Sequence, residues 1–199
     1  MKLSRTSVVL LLIQLAIVSS IAAKYLYQRW NCPRVWTRTV AYEPELVMRG
    51  RYLSLRLRVD GCGRITPPSP LPENEGNPLR NAPWFIAQQA DRYQARLTID
   101  HAKLVAMPLA GPTIHRGGFL PIETNSDGAT ILAAPGDACD ALTLEQPVDF
   151  YIPEHAADPS RLKAGEELWI EVTVPPKGPP RPLQLALKQN GVWKPLAFQ

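Results

Sequence analysis

The stretch Arg49-Gly50-Arg51-Tyr52-Leu53-Ser54-Leu55-Arg56-Leu57-Arg58-Val59-Asp60 alternates apolar and polar residues from Tyr52 onward. Leu53, Leu55, Leu57 and Val59 fall on one side of an extended chain, and Tyr52, Ser54, Arg56, Arg58 and Asp60 on the other. Side chains of a strand point alternately to its two faces, so this pattern predicts a strand with one buried face. Gly50 precedes it, free of the restrictions a Cβ imposes. Tyr52 is the odd member, an aromatic on the polar face. It suits a cross-strand packing partner or a contact surface.

Segments of the same kind recur along the chain. Trp36 to Tyr42 reads as a short strand. Ala95 to Ile99 and Leu104 to Met107, joined by the turn-like Asp100-His101-Ala102-Lys103, read as a hairpin. Ala129 to Ala134 is a further strand, and Leu142 to Tyr151 another, with Pro147 placing it at an edge. Glu167 to Val174 alternates, with Leu168, Ile170, Val172 and Val174 sharing a face. Pro175 to Pro180 reverses the chain, Leu183 to Lys188 returns, and Asn190-Gly191 turns it tightly into Val192 to Phe198. Only Asp158 to Lys163 reads as mildly helical. Two hairpins end alike, in Leu104-Val105-Ala106-Met107-Pro108-Leu109-Ala110 and Val192-Trp193-Lys194-Pro195-Leu196-Ala197, a hint either of two related halves or of shared turn chemistry. The chain holds 21 prolines in 199 residues, about twice the usual share. The fold class expected is mainly β, an antiparallel sandwich or open barrel.

One apolar segment stands outside that pattern. Lys2 and Arg5 lead into an unbroken run from Ser7 to Ala23, the pattern of a membrane-targeting helix with its N-terminus inside. Tyr25, Tyr27 and Trp30 follow as an interfacial belt would, with Lys24 and Arg29 able to snorkel beside them. A retained single-pass anchor in the lipid bilayer and a signal peptide cleaved near Ser20-Ile21-Ala22 are both compatible with this run. The chain therefore divides into a targeting and juxtamembrane segment, residues 1–31, and an exported β domain, residues 32–199. Within the domain, residues 61–83 form a long Pro-rich loop. Export to the periplasm, anchored or secreted, places Cys32, Cys62 and Cys139 in an oxidising space. Three cysteines allow one disulfide by three pairings, and their spacing does not choose among them.

Chemistry is sparse. The formal charge of +4 comes from scattered basic residues with no block, so nucleic acid is not an expected partner. His101, His115 and His155 lack metal-ligand spacing, and no metal or cofactor is expected. Glu123-Thr124-Asn125-Ser126-Asp127-Gly128 imitates the start of a calcium loop, but its twelfth position is Ala134, where a carboxylate is needed. Nucleophile elbows and phosphate loops are absent from the sequence. Glu154-His155 reads as a loop surface.

The opening stretch also resembles the signature of the GDYXXLXY domain family, Gly-Asp-Tyr-x-x-Leu-x-Tyr. Gly50, Tyr52 and Leu55 match, while Arg51 stands at the Asp position and Leu57 at the last Tyr. Tyr42-Glu43-Pro44-Glu45, Phe150 to Glu154 and Leu168 to Val174 extend the likeness. The resemblance implies an exported, membrane-anchored β protein of undetermined activity, of a kind often encoded near multi-pass membrane proteins. It carries no catalytic residues over. The expected function is a non-catalytic accessory module for a membrane partner, with Arg56 and Arg58 on the outer face as contacts for acidic groups. The alternative is a periplasmic enzyme or ligand binder with a pocket lined by Trp84, Trp169 or Trp193.

Overall fold

The computed structural model describes residues 5–41, 52–69, 89–109, 128–153, 156 and 158–197. One helix, α1 (Arg5–Asn31, 27 residues), precedes ten strands. The helix has no acidic residue in its first turn and Arg29 in its last, and its apolar side chains are exposed throughout. It is long and apolar enough to cross a membrane over Thr6–Asn31.

The strands are β1 (Arg34–Ala41), β2 (Tyr52–Val59), β3 (Asp91–Asp100), β4 (Lys103–Pro108), β5 (Ala129–Ala133), β6 (Leu142–Leu144), β7 (Val148–Tyr151), β8 (Glu166–Thr173), β9 (Arg181–Gln189) and β10 (Val192–Leu196). They form one sheet in the order β10-β9-β8-β1-β2-β6-β5-β3-β4, with β7 paired to β2 beside β6. All the strand pairs are antiparallel and the sheet does not close. It wraps on itself instead, bringing β4 near β1 and β2, and β7 near β9, around a single core.

The strand read first from the sequence is the centre of that order. Leu53, Leu55, Leu57 and Val59 are 9%, 0%, 0% and 1% exposed, so the apolar parity defines the buried face. They meet Ile131, Leu142, Leu144, Ile170 and Leu185, each at most 1% exposed. Asp60 draws the far edge of the sheet back to β2. Its backbone N–H donates to Leu104 O at 2.8 Å and its carbonyl accepts from Ala106 N at 2.9 Å. Its carboxylate accepts from the Cys62 amide at 2.9 Å and from Lys103 Nζ at 3.2 Å. Burial pushes this carboxyl up, but the Cys62 amide, Lys103 and Arg64 together outweigh it and hold it below its usual range.

A disulfide joins Cys62, just past β2, to Cys139, in a short 3-10 turn (Cys139–Ala141) before β6. Cys32 is the free, half-buried thiol. Gly61 sits at the junction, its N–H donating to Cys139 O at 2.8 Å. A Cβ there would lie 2.5 Å from Leu142 Cδ1, so the two chains approach this closely only over glycine.

Two expectations fail. Leu142 to Tyr151 is not one strand: Glu145–Pro147 interrupts it, and β6 and β7 pair separately with opposite ends of β2. Pro147 has no N–H to extend the ladder, and the Glu145 amide turns aside to Thr130 O at 2.8 Å. Asp158 to Lys163 is not helical. Asp158 Oδ1 accepts from the amide and the hydroxyl of Ser160 at 2.9 and 2.7 Å, a side-chain turn that competes with the helix. Trp84, Glu154, His155, the Glu123 to Asp127 stretch and most of the Pro-rich loop lie outside the described residues.

The two similar hairpins occupy the two ends of the strand order. Both turn on two residues with positive φ, His101 and Ala102 at 48° and 59°, Asn190 and Gly191 at 49° and 81°. Counting outward from such turns, cross-strand pairs alternate between hydrogen-bonded and non-hydrogen-bonded. Pro108, opposite Ala95, and Pro195, opposite Ala186, both fall on non-hydrogen-bonded positions. Their backbone nitrogens therefore point away from the hairpin partner, where a missing N–H costs the hairpin ladder nothing; at Pro195 this is the open edge of β10, and at Pro108 the edge of β4 that Asp60 joins at Leu104 and Ala106. The shared turn register thus places a proline at a tolerated position in both hairpins.

Candidate functional site

The outer face of β2 is stitched to its neighbours. Tyr52 pairs directly with Tyr151 of β7, the rings 5.6 Å apart and edge-to-face, and both remain more than half exposed. The cross-strand role read for Tyr52 is met, on a surface that solvent still reaches. Ser54 Oγ donates to Asp149 Oδ1 at 2.5 Å. Arg58 is half-buried; its Nη1 donates to Ala141 O and, at 2.9 Å, to Thr143 Oγ1. Burial lowers its pKa, Asp137 pulls it back up and Arg38 adds to the lowering. Its guanidinium binds strand to strand within the fold. Arg56 is half-buried between β1 and β7 and Leu55 is wholly buried, while Gly50 and Arg51 lie outside the described residues.

Two other surfaces emerge from strand register. The first is aromatic. Val35 and Thr37 are buried, so Trp36 points outward from β1; Leu168 and Ile170 are buried, so Trp169 points outward from β8. Trp193, on β10, lies between them. Its ring centroid is 5.5 Å from Trp36 and 5.0 Å from Trp169, with interplanar angles of 69° and 61°. Edge-to-face contacts of this kind add about 0.5–1.5 kcal/mol each beyond buried area. Lys188 Nζ sits 5.1 and 5.3 Å from the Trp169 and Trp193 ring centres. Trp169 Nε1 donates to Glu167 Oε2 at 2.9 Å, and Glu167 pairs with Arg38 at 3.3 Å. Ala186, the cross-strand partner of Trp169, is 1% exposed although it faces out, because it lies at the foot of these rings. Trp193 itself is 42% exposed.

Trp169 and Trp193 come together on the outer face of the sheet, and neither belongs to the buried core. Sequence reasoning missed Trp36; its pairing with Trp193 depends on the order β1-β8-β9-β10, which no local pattern reveals. The crevice lined by Arg96, Leu97, Gly128, Pro175 and Pro176 lies elsewhere and has room for about one water. Among the described residues no group of three His, Cys, Asp or Glu side chains could hold a metal.

The second surface is the seam between α1 and the sheet. Only Cys32 and Pro33 separate them, and both ends are tied: Cys32 N donates to Gln28 O at 3.1 Å and Val174 N to Pro33 O at 3.0 Å. Arg34 Nη2 donates to Arg29 O at 3.0 Å, capping a helix end whose dipole is negative. The Arg181 guanidinium lies 4.6 Å above the Tyr25 ring centre. Arg34, Thr173 and Arg181 are successive cross-strand partners, so they make one row across β1, β8 and β9. A bulge at Glu171/Val172 sets this register. The Thr173 hydroxyl and Arg181 Nε are covered and make no hydrogen bond among the described residues.

No family model, curated protein or solved structure matches the chain.

Proposed function

We propose that this protein is a membrane-anchored accessory module, its β domain held outside the cytoplasm to engage a membrane protein partner without catalysing a reaction. The observation that carries the reading is the direct passage of α1, exposed and apolar over Thr6–Asn31, into β1 with only two residues between. The Cys62–Cys139 disulfide supports an oxidising compartment. The Trp36, Trp169 and Trp193 surface supports docking: partly exposed tryptophans beside a cation are of the kind that dominates protein interfaces. On this reading the chain is a divergent GDYXXLXY-type protein, with Arg51 and Leu57 as its departures.

The test is topology and retention. A cysteine placed at Lys163, an exposed turn residue, should react with a membrane-impermeant maleimide in intact spheroplasts, and the full-length mass should stay in the membrane after alkaline extraction. Labelling only after lysis would refute export. A mature mass beginning near Ala23 would refute the anchor. Co-purification of one membrane protein in mild detergent, lost with Trp193→Ala, would identify the docking face; its equal recovery with the variant would exclude that face.

A further inference from the structure

We infer that the seam between α1 and the sheet is a cationic collar that binds the phosphate head groups of anionic phospholipids in the leaflet where the helix emerges. The inference rests on the anchor reading of α1. Helical residues rise 1.5 Å each, so the 20 residues from Thr6 to Tyr25 span about 30 Å, the thickness of the hydrocarbon core. Tyr25 then lies at the hydrocarbon boundary, and Lys24, Arg29 and Trp30 among the head groups. Arg181 stacks on that same Tyr25 ring. The contact brings one end of β9, with its row mates Thr173 and Arg34, to the height of the phosphates.

Charge follows the same geometry. Residues 1–42 carry six basic side chains and no acidic one, and residues 172–199 carry four and none. The remaining residues, 43–171, hold twelve basic and eighteen acidic side chains, a net of −6. From these two segments, Lys24, Arg29 and Arg34 meet Arg181 at the helix exit, because β1 and β9 flank β8; Lys2 and Arg5 belong to the other end of α1, and Lys188 and Lys194 to the far end of the sheet. Lys177, in the β8–β9 connection, adds to the same end of the sheet. The row supplies what a phosphate monoanion needs, two guanidinium groups with forked N–H donors, flanking the covered Thr173. Arg181 Nε and the Thr173 hydroxyl are covered, so contact with a phosphate falls to the outer guanidinium nitrogens of exposed Arg34 and half-buried Arg181. Basic groups near an anionic surface each add to the attraction, so even two arginines give a measurable lipid preference.

The experiment uses the full chain in nanodiscs of phosphatidylcholine alone or mixed one-to-one with phosphatidylglycerol, read by amide hydrogen exchange. The expected result is exchange at the ends of β1, β8 and β9 slowed severalfold by the anionic lipid, with β2 unchanged. Arg34→Gln with Arg181→Gln should abolish the difference, and Lys163→Gln, a charge change far from the seam, should keep it. If the double glutamine variant unfolds, seen as fast exchange in β2, Arg34→Lys with Arg181→Lys should retain a reduced response. Equal exchange in both lipids, or equal loss in Lys163→Gln, overturns the collar while leaving the anchor intact. The same protection from inorganic phosphate in neutral discs would show a free-anion site and overturn the lipid assignment. A chain that fails to enter nanodiscs overturns both readings.

Discussion

Removing the Cys62–Cys139 bridge by Cys62→Ala with Cys139→Ala is expected to cost a large part of the domain's stability. The bridge closes a loop with a sequence separation of 77. In the chain-entropy picture, a loop of that length withholds about 4.5 kcal/mol of freedom from the unfolded chain at 25 °C. Domains of this size are stable by about 5–15 kcal/mol, so the loss lies between a third and nearly all of it. The bridge also sits where β2 leaves the core. Its neighbours, the Gly61–Cys139 hydrogen bond and the close approach of Gly61 to Leu142, depend on the same two chains staying together. With a urea m-value of about 2 kcal/mol/M, the midpoint should fall by roughly 2 M. The assay is urea unfolding of the full chain in detergent micelles, followed by far-ultraviolet circular dichroism. Reduction of the unmutated protein should reproduce the shift, and Cys32→Ser should not. A shift under about 0.5 M, or peptide mapping that places Cys32 in a bridge, would refute the reasoning.

Two further outcomes follow from the edges of the sheet. Asp60→Asn should lower stability by about 1–2 kcal/mol at neutral pH, because a charged acceptor for the Cys62 amide and Lys103 is lost. The folded Asp60 carboxyl titrates below its unfolded value of 3.8, so its contribution is full above that value and fades as pH falls through the folded one. The gap between the two proteins, measured by thermal melts, should therefore close below about pH 4; a gap that persists unchanged would contradict the assignment. Pro195→Val should restore an outward N–H on β10 and promote edge pairing, strengthening self-association at least about tenfold by light scattering. An unchanged monomer would show that the proline does not guard the edge.

Local periodicity carried most of the strands. β2 and β8 were legible because one face of each is buried along its whole length, which writes the pleat into the residues. The β9–β10 turn was legible because both central residues need positive φ, and Asn190-Gly191 supplies them cheaply. Leu142 to Tyr151 misled because each half alternates well alone; the break comes from which partner each half finds along β2. The cysteine pairing was illegible because it depends on β2 and β6 lying side by side. The polar face of β2 was legible as a face, but the partners of its side chains were not. Arg58 looks like a surface cation in one dimension, but a neighbouring strand offers it a carbonyl and a hydroxyl. Conversely, Trp36, Trp169 and Trp193 are scattered in the chain and meet only through strand order.

The two-residue junction of Cys32 and Pro33 also sets what the domain can reach. Tethered domains on flexible stalks sample a hemisphere whose radius grows with the stalk. Here there is no stalk: the helix end and β1 are pinned to each other through Pro33, Val174, Arg34 and Arg181. A domain of this length has a radius of gyration of only about 15 Å. With α1 kept as the proposed anchor, its encounters are confined to a thin layer above the bilayer and are found by lateral diffusion in two dimensions. Rotation of α1 about its own axis turns the whole sheet with it, so the azimuth at which the helix packs against another helix dictates which strand faces that neighbour.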